Sequence, residues 1–521
     1  LYFVYGTVEL QITKHFIQNI SKKQIMTNYK KILENEQSLD NADWQSMREL
    51  GKRMVDDMVD LLQNIEKKPV WQQIPQSSKE FLSKKLPIEG QNPQEIYQEF
   101  LDHIAPYYKG AIHPRFFSWV EGNGTLLGAF ADFLASSLNP NVAIGEHAAM
   151  YVENEVLNWS KEIMGYPNSA SGILLSGGSM ANITGLIVAR NSHANLEVRK
   201  KGLKNINAQM VFYCSSETHA CMQKASEIMG LGSEGIRKVA VDKSRRIKID
   251  ELKKMIHEDK KNGLIPFAIV GNAGIVNTGA IDDLDAIADI CAEEKLWFHI
   301  DGAYGAAAKI TDECSKYLKA IERSDSIAFD FHKWFYVNYE VGCLLVKDAK
   351  KHRDAFIVIP NYLSSHERGL ASGPESFNNF GMELSRGFKA LKIWMSFKEH
   401  GIEKYKKQIS QNIAQASYLA DLVKNEKDLE LISHEVLSIV CYRFKADLSN
   451  EKLNALNKEL LIRLHEQKVA TPSYTILDGN YVIRVSNTNH RTKKHDLEFL
   501  VKESVRIGKQ IIPFQPENHC F

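Results

Sequence analysis

The sequence has no apolar stretch long enough to span a membrane. Its first residues, Leu1 to Gln18, interrupt their apolar positions with Glu9, Lys14 and His15, and they lack the basic, apolar, small-residue order of a signal peptide. The chain opens at Leu1, as a fragment or a chain with added residues would. Net charge is nearly absent, because 65 Lys+Arg against 64 Asp+Glu leave +1. A surface so balanced offers no global field to hold nucleic acid or an anionic membrane. The short run Arg199-Lys200-Lys201 reads as solvated helix surface. Paired-cysteine motifs are missing too. The seven cysteines (Cys214, Cys221, Cys291, Cys314, Cys343, Cys441 and Cys520) are odd in number and form no C-x-x-C. That argues against a disulfide framework or a metal site, and for a reducing, cytoplasmic compartment. Internal repeats and low-complexity tracts are absent as well.

What is present is ordinary globular material, 44% hydrophobic and 25% charged over 521 residues. That length exceeds one small core and implies two to four domains, or one large α/β domain with appended pieces. Residues 1–42 carry no pattern. From Asp43 onward Met47, Leu50, Met54, Met58 and Leu61-Leu62 recur at three- and four-residue spacing, which predicts an amphipathic helix. Pro69, Pro75, Pro87 and Pro93 mark turns and helix starts. From Gly172 short apolar runs alternate with helical patterns. The runs are Ile173-Leu175, Met210-Tyr213, Ile265-Val270, Leu296-Ile300, Ser326-Phe329 and Gly342-Val346. They predict an α/β fold with a mainly parallel sheet, buried on both faces. Residues 396–425 read as helical, and 435–511 as a small α+β domain.

Ligands of such sheets sit beyond the carboxyl ends of the strands, and four constellations fall there. Ser176-Gly177-Gly178-Ser179 follows one run and precedes a helical stretch. Its free amides suit a phosphate, although a plain strand-to-helix turn has the same composition. His219 lies in a loop after Met210-Tyr213, where a lone histidine is as readily structural. Asp301, in His299-Ile300-Asp301-Gly302-Ala303-Tyr304-Gly305, ends an apolar run with small neighbours. An aspartate can face a ligand there or cap a helix. His332-Lys333-Trp334 follows Ser326-Phe329. A lysine in a partly desolvated site can lose its proton and attack a carbonyl.

Taken together, these strings resemble the pyridoxal-phosphate (PLP) dependent group II amino-acid decarboxylases, which include the aromatic-L-amino-acid, glutamate and histidine enzymes. The resemblance runs from about residue 42 to 510. It includes the Asp43-Trp44 to Ile65 helix, His113-Pro114-Arg115-Phe116-Phe117 and the Arg484 to Thr492 segment. It implies the PLP-dependent transferase fold of type I, and the segments it suggests are an extension of unknown role (1–42), a helical layer wrapping a partner subunit (43–125), a large PLP-binding domain (126–395) and a small carboxy-terminal domain (396–521). It also implies a homodimer with active sites at the interface. Residue by residue, Lys333 would hold the cofactor as a Schiff base and Asp301 would pair with the pyridinium nitrogen. Ala303 would contact one ring face and His219 the other, where it would help place the substrate carboxylate. Gly178 and Ser179 would bind the phosphate, and His332 would line the same cavity. Tyr362 would sit on a mobile loop and protonate the carbon that has lost carbon dioxide. Trp119 and Asn141 would contact the substrate.

Departures from the family pattern concern specificity. Asp330-Phe331-His332 stands where relatives commonly have Asn-Pro-His. Ser118-Trp119-Val120-Glu121-Gly122 replaces an aromatic, proline and threonine stretch, and Asn139-Pro140-Asn141-Val142 is less apolar than in aromatic-specific relatives. The expected reaction is decarboxylation of an L-amino acid to an amine, with an aromatic substrate favoured. The alternatives are glutamate or another acidic or polar amino acid, an aldehyde synthase or carbon–carbon lyase on the same scaffold, and a catalytically dead dimerising scaffold. A tyrosine rather than a phenylalanine at 362 favours amine formation over oxidative deamination.

Overall fold

The apolar runs of the sequence become strands with every residue, or nearly every residue, out of water. The computed structural model describes residues 31–195, 197–206, 208–358 and 366–512. In chain order its strands are β1 (Phe116–Phe117), β2 (Ser171–Leu175), β3 (Met210–Ser215), β4 (Ile236–Val239), β5 (Ile265–Asn272), β6 (Trp297–Asp301), β7 (Ser326–Asp330), β8 (Gly342–Val346), β9 (Leu429–His434), β10 (Ile439–Phe444), β11 (Thr471–Leu477) and β12 (Asn480–Ser486). The chain divides into two compact units, Leu1–Asp60 with Lys85–Leu101, and Leu61–Lys84 with Asp102–Phe521.

In the first unit the stripe read from Met47 onward lies on the helix Trp44–Gln63, with Leu50 buried and Met47, Met54 and Met58 half-buried. The helix Pro93–His103 pairs with it. Tyr97 donates its hydroxyl to Asp57 at 2.9 Å, and the Arg53 guanidinium lies 5.3 Å from the Tyr97 ring centroid.

The second unit holds both sheets. Seven strands run in the order β2-β8-β7-β6-β5-β3-β4. β4, β3, β5, β6 and β7 are mutually parallel, and β8 is antiparallel to both β7 and β2. β2, β3, β6, β7 and β8 are buried at every position, as expected of a sheet covered on both faces. Each of the six runs read from the sequence is a strand of this sheet. β4 was not anticipated, since its Ile236-Arg237-Lys238-Val239 buries only its ends. The helix Gly178–His193 packs against β5 to β8 with Ala181, Ile183, Gly185, Leu186, Val188 and Ala189 buried. Arg199, Lys200 and Lys201 are exposed on a short helix, as their charge suggested.

The carboxy-terminal part forms a five-stranded sheet, β1-β11-β12-β10-β9. The helices Asn450–Glu466 and Lys494–Ile511 bury Leu456, Leu460, Leu497 and Leu500 against it. The helix read at 396–425 runs from Ala390 to Asn425 and is kinked at Gly401, whose φ of +65° suits glycine. β1 comes from far earlier in the chain and lies parallel to β11, so residues 116–117 are stitched onto this sheet.

A buried ion pair ties the helix Ala148–Met164 to the segment before the helix Ala390–Asn425 and to β2. Arg386 and Glu153 pair with side chains 2% and 0% exposed. Arg386 also donates to the carbonyls of Val142 at 2.6 Å and Leu174 at 2.8 Å. Arg386→Leu would leave the Glu153 carboxylate buried without its counter-charge and is expected to cost roughly 3–5 kcal/mol, read as a fall in the urea midpoint. A second expectation concerns acid. His352 is fully buried 2.8 Å from the Ser171 hydroxyl, and burial pulls it from 6.5 down to about 3. The unfolded histidine takes up a proton below 6.5 and the folded one does not, so its contribution is complete above 6.5 and is lost as pH falls toward 3. His352→Gln should flatten the loss of stability over that range by about 1.4 kcal/mol per pH unit. An unchanged slope would remove His352 from the acid response.

Candidate active site

The carboxyl ends of β5, β6 and β7 open into one chamber of about 220 Å³. Its wall includes Gly178, Ser179 and Asn182 from the start of the helix after β2, His219 from the loop after β3, and Cys221 from the start of the helix Cys221–Ile228. Asn272 ends β5, and Gly274 and Val276 follow it. Asp301 ends β6 and Ala303 and Tyr304 follow it, and Lys333 and Tyr339 follow β7. Trp119, Val120 and Glu121 come from the segment after β1. The topology therefore gathers residues more than 200 positions apart in sequence.

Lys333 lies in the turn after β7. Its Nζ is 3.1 Å from Asp330 Oδ2. Burial pulls the Lys333 ammonium down, but the charges of Asp330 and Asp301 outweigh it and the net shift is upward. Asp330 is 3% exposed, and its other oxygen, Oδ1, has no hydrogen-bond partner. Asp301 ends β6, and its Oδ1 accepts from the Ala303 amide at 3.2 Å. The wall against Lys333 tolerates no side chain at 122. A Cβ on Gly122 would stand 2.2 Å from the Lys333 carbonyl oxygen, so this close approach requires glycine.

His219 accepts from the Cys221 amide at Nδ1, 3.2 Å away, which leaves its proton on Nε2. Burial lowers its pKa, with Lys333 adding to the effect and Asp301 opposing it. It presents a flat neutral ring with one N–H donor. Asn182 is oriented by a directed chain of bonds. Trp297 Nε1 donates to Ser326 Oγ at 2.8 Å, Ser326 Oγ lies 2.7 Å from His299 Nδ1, and His299 Nε2 lies 2.8 Å from Asn182 Oδ1. Asn182 Oδ1 can only accept, so the neutral His299 ring carries its proton on Nε2 and its Nδ1 accepts from the Ser326 hydroxyl. The His299 pKa, lowered by burial to about 3, keeps this neutral arrangement. Asn272 is held by the buried Asp282, which accepts from its backbone at 2.9 Å and its side chain at 2.8 Å.

Arg484, on β12, is 3% exposed. It donates to the carbonyls of Trp119 at 2.8 Å, Asn277 at 3.1 Å and Val276. Trp119 adopts a left-handed backbone with φ +51°, which costs free energy for a bulky residue. The bond from Arg484 holds its carbonyl in place.

The sequence-derived set is thus largely convergent. Lys333, Asp301, Ala303, His219, Gly178, Ser179 and Trp119 share the chamber. His332 stands one layer back, with its ring 4.2 Å from that of Tyr339 and its Cε1 3.3 Å from where a Gly177 Cβ would be. Asn141 is exposed and bonds Leu384 and Arg386 rather than facing the chamber of its own chain. Tyr362 lies outside the described residues. Asn182, Asn272, Tyr304 and Tyr339 were not singled out from sequence. Asn272 carried the signal of a polar residue at a strand end, whereas Tyr339 carried none.

The donor set has the chemistry that pyridoxal phosphate requires. Lys333 could supply the amine for its aldehyde and Asp301 the carboxylate for its ring nitrogen, and small Ala303 with flat His219 would suit its ring. The amino end of the helix Gly178–His193 suits its phosphate. Gly178 keeps that end open, since a Cβ there would meet Asp330 at 2.7 Å and Ala303 at 2.9 Å. Among the described residues no cluster of His, Cys, Asp and Glu is arranged to hold a metal ion, and no helix is long and apolar enough to cross a membrane.

Comparison with known proteins gives the same answer. Residues 75–445 match the pyridoxal-dependent decarboxylase conserved domain. The chain is 34% identical over 472 residues to the aromatic-L-amino-acid decarboxylase of Bacillus atrophaeus, covering 90% of this chain and 96% of that one. It is 28% identical over 462 residues to tyrosine decarboxylase 4 of Petroselinum crispum, covering 84% and 89%. Among solved structures, Oryza sativa TDC with PLP and tryptamine superposes with a TM-score of 0.83 at 22% identity, covering 91% of this chain and 100% of that one. The glutamate decarboxylase domain of diaminobutyrate-pyruvate transaminase and L-2,4-diaminobutyrate decarboxylase from Vibrio parahaemolyticus gives 0.79 at 25% identity, covering 92% of this chain and 99% of that one. The chain therefore belongs to the pyridoxal-dependent decarboxylase family, with that family's α/β fold and cofactor.

Proposed function

We propose that this protein converts an aromatic L-amino acid to its amine and carbon dioxide, with Lys333 as the cofactor-bearing residue. The observation that carries the reading is Lys333 at the end of β7, 3.1 Å from Asp330 and within the field of Asp301. Bound there, pyridoxal phosphate supplies an electron sink for the charge left on the α-carbon when carbon dioxide departs.

The chain's own residues do the rest. Asp301 would face the ring nitrogen. Neutral His219 would cover one ring face, with its Nε2–H turned to hold the substrate carboxylate. Ala303 leaves room on the other face. The chamber walls fix which bond to the α-carbon is cleaved, an orientation effect. Tyr362 then donates a proton to the α-carbon. The relatives' names favour an aromatic substrate, since they include aromatic-L-amino-acid, tyrosine and tryptophan decarboxylases.

The working form is a homodimer in the cytoplasm. Phe133, Leu134 and Leu138 lie exposed on the helix Leu126–Leu138, an apolar surface suited to a second copy. The six described cysteines are free and buried, which suits a reducing compartment.

A panel of L-amino acids assayed for carbon dioxide release should give turnover with aromatic substrates, and none with any of them would overturn the reading. Lys333→Ala should lose both the visible absorbance of the cofactor Schiff base and all turnover. Borohydride reduction of the wild type should label Lys333, and label on another lysine would reassign the link. Tyr362→Phe should still release carbon dioxide but shift the product from amine toward aldehyde, with ammonia and hydrogen peroxide formed from dioxygen. A variant producing amine as cleanly as the wild type would remove Tyr362 as the proton donor.

A further inference from the structure

The chamber has two chemically distinct ends. Gly178, Ser179, His219, Asp301, Ala303 and Lys333 form the end suited to the cofactor. Asn182, Cys221, Asn272, Gly274 and Tyr304 also line the chamber, and the rest of the wall is Trp119, Val120, Glu121, Val276 and Tyr339, a group that is apolar and aromatic except for one phenol and one carboxylate. The substrate side chain extends toward this second end if the reading above holds, so the present inference rests on it.

Glu121 is the unexpected member. Its side chain is 13% exposed, and its Oε1 pairs with Lys109. Lys109 in turn lies 4.3 Å above the Trp119 ring. Together they make a locally neutral unit of carboxylate, ammonium and indole at the chamber's outer end. Burial and the Glu121 charge both raise the Tyr339 hydroxyl above the ordinary phenol range, so Tyr339 stays protonated beside Glu121.

Charge decides what this end accepts. A carboxylate has about four acceptor positions, and Lys109 engages only one of its oxygens. An acidic substrate side chain would meet Glu121 as a like charge. An ammonium side chain would meet Lys109 already in place. A neutral donor, such as a phenol hydroxyl or an indole N–H, adds a charge-assisted bond without adding net charge. Trp119, Val120 and Val276 supply the apolar contact that a ring requires.

We propose that Glu121 is a specificity-determining residue: it reads a neutral hydrogen-bond donor on the substrate's aromatic ring, favouring hydroxyphenyl and indole side chains over phenyl and disfavouring acidic and cationic ones.

The test compares the wild-type holoenzyme with Glu121→Leu and Glu121→Gln. In the wild type, kcat/KM should be higher for L-tyrosine and L-tryptophan than for L-phenylalanine, with L-glutamate and L-ornithine poorest. In Glu121→Leu the tyrosine-to-phenylalanine ratio should fall by about tenfold, the worth of a hydrogen bond to a charged acceptor. Glu121→Gln, which keeps the volume and one acceptor, should lie between. A second measurement needs no turnover. Binding of 3-(4-hydroxyphenyl)propionate relative to 3-phenylpropionate should lose its preference in the same order. An unchanged ratio in Glu121→Leu overturns the inference, and if that variant does not retain the cofactor absorbance, an unchanged ratio in Glu121→Gln does so instead. A wild type that turns over no aromatic amino acid sinks the proposed function itself, an outcome distinct from either.

Discussion

Holding an amine next to two carboxylates, out of water, is the constraint around which the chamber is arranged. Lys333, Asp330 and Asp301 are each costly to bury alone. Together the carboxylates more than offset the desolvation of the amine, since the net shift of Lys333 is upward. That balance is available only where strands end. Within β6 and β7 the side chains meet protein on both faces, and a charge there would have no partner. At their carboxyl edges the same strands deliver Asp301, Asp330 and Lys333 to a common space. Two glycines let the wall close on them, Gly122 against the Lys333 backbone and Gly178 against Asp330 and Ala303.

The chamber also depends on groups that never touch it. Trp297, Ser326 and His299 lie inside the sheet and aim Asn182 by a chain of bonds whose direction follows from the Asn182 oxygen being able only to accept. Arg484 reaches from β12 to the carbonyls of Trp119, Val276 and Asn277, so the small sheet sets the position of two stretches of chamber wall. Tyr304 makes a second link. Its ring stacks on Trp334 at 5.0 Å, and its hydroxyl lies 2.6 Å from Ser438 Oγ just before β10. The residue following Lys333 is thereby tied to the carboxy-terminal sheet.

Electrostatically the two ends of the chamber differ in kind. The inner end concentrates opposite charges that are nearly buried, where removing one leaves the others unmatched. The outer end carries a pair open to solvent on the lysine side, with Lys109 55% exposed, where solvent weakens the pair. A rigid inner end suits a reaction whose geometry must be held. A more yielding outer end suits discrimination among side chains, which rests on single hydrogen bonds.

The sequence by itself determined the sheet and most of the inner site. Strands buried on both faces must be continuous apolar runs, so six of the seven announced themselves, and the residue types just beyond them named Gly178, His219, Asp301 and Lys333. β4 escaped because an edge position lets polar Arg237 and Lys238 stand mid-strand. The outer end was not legible. Trp119 and Glu121 were visible as a string, but only the stitching of β1 onto β11 and the reach of Arg484 place that string opposite Lys333. Tyr339 follows Lys333 by a turn whose path no local pattern encodes. Asn141, expected to contact a substrate, bonds Leu384 and Arg386 away from the chamber of its own chain. Local periodicity reports which face of an element is buried. Which distant segments meet across a chamber is decided by packing, and that is a property of the assembled tertiary structure alone.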